Sequence, residues 1–292
     1  MNRTRLAAVA IAATGLLGCS RQQALRVGAK NTTEQAVLAE IVAQHLERRL
    51  RLPVERSLNL GDTLVTHQAL LTGTVDLYPE YCGVVLSVIL KLPPEPNPTT
   101  AFERVRNELR ARSAIEWLDP LGFSNDYALV VRAGEARAAG LETVSDAAGY
   151  AARWTLGVSR QFLEQPTWYQ RLMTVYGLPL AAGPKVMDPG RLYQALAKKE
   201  VGMVAGHATD SALTSADFKV LRDDKDAFAS AQAALAVRSD ALARYPALKP
   251  ALAELAGKFS AELMRQLNYQ VDVERRPLAE VAAGFLRQAG LQ

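Results

Sequence analysis

The chain has 292 residues, room for one large domain or two medium ones. Hydrophobic residues make up 49% and charged residues 22%, the balance of a globular protein with a buried core. The formal charge is only +4, with acids and bases interspersed and no long basic run, so composition gives a nucleic-acid role no support.

Residues 1–18 read as a leader rather than as part of the fold. Met1-Asn2-Arg3-Thr4-Arg5 is a short basic opening, and Leu6 to Leu17 is an apolar run too short to span a bilayer. Leu16-Leu17-Gly18-Cys19 resembles the lipobox of bacterial lipoproteins, which implies lipidation at Cys19 and a membrane anchor without a spanning helix. Loss of Arg3 and Arg5 takes the formal charge from +4 to +2. The remaining cysteine, Cys82, has no partner for an internal disulfide and reads as a small buried hydrophobe.

Residues 19–24 form a polar tether. Leu25-Arg26-Val27-Gly28 reads as a strand closing in a turn. Thr32 with Gln35 fits a capping box, and Val37, Leu38, Ile41, Val42 and Leu46 then recur at helical spacing. Pro53 to Leu58 reads as a second strand. Gly61-Asp62-Thr63 caps a helix that Gly73 stops, and Val75-Asp76-Leu77-Tyr78 reads as a third strand. A Pro-dense loop (Leu92 to Pro98), a charged helix (Ala101 to Ala111) and a strong strand (Tyr127 to Val131) follow. The strand–helix alternation restarts over Trp154 to Ala205. Ala233 to Arg238 is a further strand, and Pro246 to Gly290 is helical. Strands alternating with amphipathic helices predict an α/β fold with largely parallel sheets. The layout predicts two lobes: residues 25–128, an inserted lobe over 129–232, and a helical return over 233–292. The chain is expected to cross between lobes near Tyr127–Val131 and near Ala233–Val237, making a two-crossing hinge.

Nothing in the sequence marks an enzyme. The three histidines, His45, His67 and His207, show no metal-ligand spacing with each other or with cysteine, and no cofactor is expected. No nucleophile-elbow, phosphate-loop or dinucleotide fingerprint is present. His45 and His67, on predicted helices, read as surface or partly buried positions.

Two segments are chemically informative. Asp76-Leu77-Tyr78-Pro79-Glu80-Tyr81 and Asp119-Pro120-Leu121-Gly122-Phe123-Ser124-Asn125-Asp126-Tyr127 place aromatics with acids beside turns, as a cleft wall does. Tyrosines beside strands also pack in cores. A cation with no hydrogen-bond donors, such as trimethylammonium, is held by π faces and nearby acids, and aromatics converging from separate loops supply them.

On these runs, together with Gly28-Ala29-Lys30, Thr33-Glu34-Gln35, Lys185-Val186-Met187-Asp188, Thr209-Asp210 and Leu267-Asn268-Tyr269, the chain resembles the osmoprotectant-binding subunits of ABC importers, which take glycine betaine, choline, carnitine and proline betaine. The resemblance covers nearly the whole mature chain. It implies a type II periplasmic-binding-protein fold without catalysis, a quaternary-amine ligand, and an ABC permease and its ATPase as partners. Tyr81 and Tyr127 match two tyrosines of the family's four-tyrosine cage, Asn125 a polar neighbour, and Lys30 the residue that meets the ligand's carboxylate. The other two cage positions carry His207 and Ala231. Val84 stands where the family has Thr, and Gln165 where some members have a clamping Arg. Trp168, Tyr169 and Phe228 are the candidates to refill the cage, and Ala231 leaves room for a bulkier solute. A sensory receptor of the same build is the alternative.

Overall fold

The computed structural model describes residues 24–95, 97–164, 166–228 and 231–291; the leader, Cys19 and Gln165 lie outside the described residues. Strands β1 (Leu25–Gly28), β2 (Val54–Ser57), β3 (Leu77–Tyr81), β4 (Ile115–Trp117), β5 (Tyr127–Arg132), β6 (Leu156–Val158), β7 (Lys185–Val186), β8 (Met203–His207), β9 (Phe218–Val220) and β10 (Ala233–Arg238) form two five-stranded sheets. The first has the order β2-β1-β3-β10-β4 and the second β7-β6-β8-β5-β9. In each sheet the strand that follows a crossing runs against its neighbours: β5 is antiparallel to β8 and β9, and β10 to β3 and β4.

Both sheets are covered on both faces, and the period-2 alternation of their central strands shows how. In β10, Leu235 and Val237 face the core that helix α1 (Thr33–Leu50) and the helices from Leu248 onward cover, while Ala234 and Ala236 face the core under the helix Pro98–Ser113. In β5, Leu129 and Val131 pack to one side and Val130 to the other. Each buried Leu or Val here contributes about 1.5–3 kcal/mol, and the alanines less.

Local signals set the helix starts. The Thr32 hydroxyl accepts from the Gln35 N–H and caps α1, but the Gln35 side chain has no hydrogen-bond partner. The expected capping box is therefore only half formed. Gln35 is fully buried. Asp62 caps helix α2 (Thr63–Leu71), and Gly73, at φ +74°, follows its end.

The crossings lie upstream of the expected positions. Residues 127–132 belong wholly to β5 and residues 233–238 wholly to β10, so the chain passes between sheets over 118–126 and again over 221–232. Strong apolar runs mark sheet interiors, and the polar, turn-rich stretches before them make the passage. The two crossings run side by side: Ser124 bridges Gln232, Asn125 N–H donates to Ala231 O (3.1 Å), and Ala233 N–H donates to Phe123 O (3.1 Å). A third bridge comes from the helix Ala261–Asp272, where Arg265 Nε donates to Ala208 O (2.6 Å). Among the described residues no helix is long and apolar enough to cross a membrane.

Two histidines differ from expectation. His45 is fully buried with Nε2 2.8 Å from Ala251 O, and His67 is buried with Nδ1 3.3 Å from the Tyr78 hydroxyl. Burial pushes both imidazoles below the ordinary histidine range. Helical periodicity alone did not separate these positions from solvent, because the covering elements are remote in sequence.

Candidate functional site: an interlobe cleft

A cleft of about 980 Å3 lies between the sheets, at the two crossings. That is where open α/β sheets receive ligands, outside the carboxyl ends of strands. The first lobe lines it with the β1–α1 loop (Lys30, Thr32, Thr33), the first turn of α1 (Glu34), the end of β3 (Tyr81), and Asn268 and Asp272. The second lobe contributes the start of β5 (Tyr127), Ser159, Trp168, the end of β8 (His207), Thr209, Asp210 and Phe228. The crossings supply Asn125, Asp126 and Ala231.

The second-lobe wall is aromatic and continuous. The Tyr127 ring lies 4.3 Å from the His207 ring, 4.5 Å from Trp168 and 6.3 Å from Phe228 between centroids, with Phe162 edge-on behind it at 4.8 Å. Pairing of β5 with β8 puts Tyr127 opposite His207 in register, which is why the rings of two residues 80 positions apart meet, tilted by 33°. Trp168 and Phe228 both lie beside Tyr127 and line the cleft. Tyr169 packs against the core of this lobe and does not line the cleft.

Tyr81 faces the cleft from the other lobe and is tied down by chemistry. Its hydroxyl donates to the Glu34 carboxylate, which also accepts from Asn268 Nδ2 (3.0 Å). The Lys30 ammonium lies 2.6 Å from Glu80 Oε1 and 4.9 Å from the centroid of the Tyr81 ring. The charge expected to meet a ligand carboxylate is thus already matched by a fully buried acid. Asp76 to Tyr81 is a wholly buried stretch rather than a loop, and Tyr78 is core. Strand pairing to β10 on one side draws the whole segment inward.

Asn125 sits at the crossing: its side-chain oxygen accepts from Thr209 Oγ1 (2.8 Å) and its carbonyl lies 3.4 Å from His207 Nδ1. The cleft is rich in acids that the sequence reading assigned no role. Asp210 accepts from the Tyr193 hydroxyl (2.6 Å) and from His207 N–H (2.8 Å). Asp126 accepts from Ser124 Oγ (2.6 Å) and from Ala231 N–H. Burial pushes the Glu34 carboxyl above the ordinary carboxylate range, against the opposing pull of hydrogen bonds from Thr209, Tyr81 and Asn268. Burial likewise raises Asp126, and the nearby Asp223 charge adds to it. The runs Thr33-Glu34-Gln35 and Thr209-Asp210 are visible in the sequence, but their convergence is a tertiary fact.

Two α/β lobes, a pair of crossings and a ligand-sized cleft between them define a two-lobed solute-binding protein with the type II fold. The family model described as the substrate-binding domain of the ABC-type glycine betaine transport system matches residues 23–288, and the chain belongs to that family. It is 32% identical over 276 residues to the carnitine transport binding protein OpuCC of Listeria monocytogenes, covering 93% of this chain and 89% of that protein. It is 30% identical over 300 residues to a glycine-betaine-binding protein of Pseudomonas aeruginosa, covering 99% and 95%. The crystal structure of a glycine betaine/carnitine/choline ABC transporter protein matches with a TM-score of 0.87 and 27% identity, over 91% of this chain and 99% of that one.

Proposed function

We propose that this protein is the extracytoplasmic capture subunit of an ABC importer, binding a quaternary-ammonium osmoprotectant in the interlobe cleft and delivering it to a permease driven by an ATPase. One observation carries the reading: the aromatic wall of Tyr127, Trp168, His207 and Phe228 faces Tyr81 and Glu34 across the cleft. A trimethylammonium group offers no donor and a diffuse positive charge, so π faces and carboxylates are its matching partners. The bodies that close on it follow the expected division, residues 25–128 with 233–292 and residues 129–232, with the first boundary moved to the start of β5 at Tyr127, since that strand belongs to the second sheet. The roles of Lys30, Tyr81, Asn125, Tyr127 and His207 as ligand contacts belong to the same proposal, as do those of Trp168, Phe228 and Gln165.

The test is a thermal-shift and calorimetric screen of the mature chain against choline, glycine betaine, carnitine and unmodified amino acids. Ligands of the folded state raise stability by mass action. A quaternary amine should raise the melting temperature in a dose-dependent way; stabilisation only by amino acids lacking a quaternary nitrogen would overturn the reading. Anchoring at Cys19 is the accompanying proposal for location. Cys19→Ser should release the protein from membrane fractions or leave a longer precursor, and unchanged fractionation and processing would remove the anchor.

A further inference from the structure

The cleft charge is uneven. Among the described lining residues stand four carboxylates, Glu34, Asp126, Asp210 and Asp272, against two ammonium groups, Lys30 and Lys91. One of those ammoniums, on Lys30, is matched at 2.6 Å by Glu80, a fully buried acid behind the cleft wall. Lys91 is exposed and sits on the rim loop with Leu92 and Pro93.

Donors beside these acids are engaged by them, while the buried Tyr127 hydroxyl has no partner among the described residues. The Tyr81 hydroxyl and the Asn268 amide donate to Glu34, the Tyr193 hydroxyl to Asp210, the Ser124 hydroxyl to Asp126 and the Thr33 hydroxyl to Asp272 (2.6 Å). Beside Tyr81, Val84 presents only methyl groups to the cleft. A site built for a ligand carboxylate needs an uncompensated cation. This cleft offers acceptors, π faces and more acids than bases, with the Tyr127 hydroxyl as a neutral donor.

We infer that the cleft selects a net-cationic quaternary ammonium solute, one that carries no carboxylate, over a zwitterionic betaine. The inference rests on the reading of the cleft as a quaternary-ammonium site. Both classes present the same trimethylammonium group to the aromatic wall, so the wall does not discriminate between them. The carboxylate of a betaine must lie within a few ångströms of the nitrogen it belongs to, and so among the acids that surround the cage. Like charges at that range cost enough to give about tenfold discrimination or more at protein-surface dielectric.

Isothermal titration of the mature chain with choline, tetramethylammonium and glycine betaine tests this. Choline should bind about tenfold or more tightly than glycine betaine, with tetramethylammonium also binding. Glu80→Gln, which frees the Lys30 ammonium, should shift the ratio toward glycine betaine. Asp272→Asn, at the half-exposed edge of the cleft, should shift it in the same direction and does not depend on replacing a buried acid. Glycine betaine binding as tightly as choline would overturn the inference while leaving the quaternary-ammonium reading intact. Failure of all three probes to bind would overturn that reading and the inference together. A ratio unmoved by Asp272→Asn and by a folded Glu80→Gln would overturn the charge argument.

Discussion

At the scale of single residues, the cleft separates groups that supply π faces from groups that supply charge. The Tyr127 ring sits in the aromatic cluster, with Phe162 in a T-shaped contact at 4.8 Å. Leucine at 127 or 81 keeps much of the apolar area and loses the quadrupole, so each change should weaken binding of a quaternary amine by about 1–2 kcal/mol. Titration calorimetry beside a melting curve checks this, and unchanged affinity with an intact fold would make these tyrosines packing residues. Glu34 is the residue whose stability cost should be measurable. Its carboxyl is raised by burial, so between its ordinary and raised range the folded state holds a proton that the unfolded chain has released. Stability is then lost as pH rises through that window. Glu34→Gln removes the ionisation, so the variant should gain stability over wild type progressively from acid to neutral pH, while binding a cation more weakly. Thermal melts across that range decide it; a constant offset at all pH values would assign the effect to packing.

At the scale of elements, the crossings carry the most specific constraints. Gly122 has φ +111°, and a Cβ there would lie 2.6 Å from Phe259 O and 2.9 Å from the Gly257 backbone. Those atoms belong to a backbone-to-backbone seam in which Gly257 N–H donates to Pro120 O (3.0 Å) and Phe259 N–H donates to Leu121 O (3.0 Å). Neither side can yield by rotating a side chain. Gly122→Ala should therefore destabilise by about 1–3 kcal/mol from backbone strain, with the overlap adding to it. Chemical denaturation checks the loss. In β8, a Cβ at Gly206 would lie 2.2 Å from the Tyr193 hydroxyl and 2.8 Å from Asp210 Oδ2, so the hydrogen-bonded pair that holds His207 N–H in place depends on glycine at that position.

At the scale of the whole molecule, two crossings, 118–126 and 221–232, join the lobes, and the helix Ala261–Asp272 touches both, through Asn268 to Glu34 and to Thr209 O (3.0 Å). Ligand held by both walls should tighten their approach, visible by solution scattering as a fall in radius of gyration on saturation with choline. A saturating ligand that leaves the scattering curve unchanged would show that the lobes are already closed before binding or do not move. The lobes themselves were legible in the sequence, because apolar periodicity, caps and glycine stops are local. Helix α1, helix α2, β5 and β10 all follow from spacing within a few residues. The aromatic identities at 81, 127, 168 and 228 were legible too, since ring chemistry is written in the residue itself. What only the tertiary structure decided was pairing across distance: Lys30 with Glu80, 50 residues apart, and Glu34 with Asn268, 234 apart. A residue's charge can be read alone, but whether that charge is spent depends on which remote partner the fold brings to it.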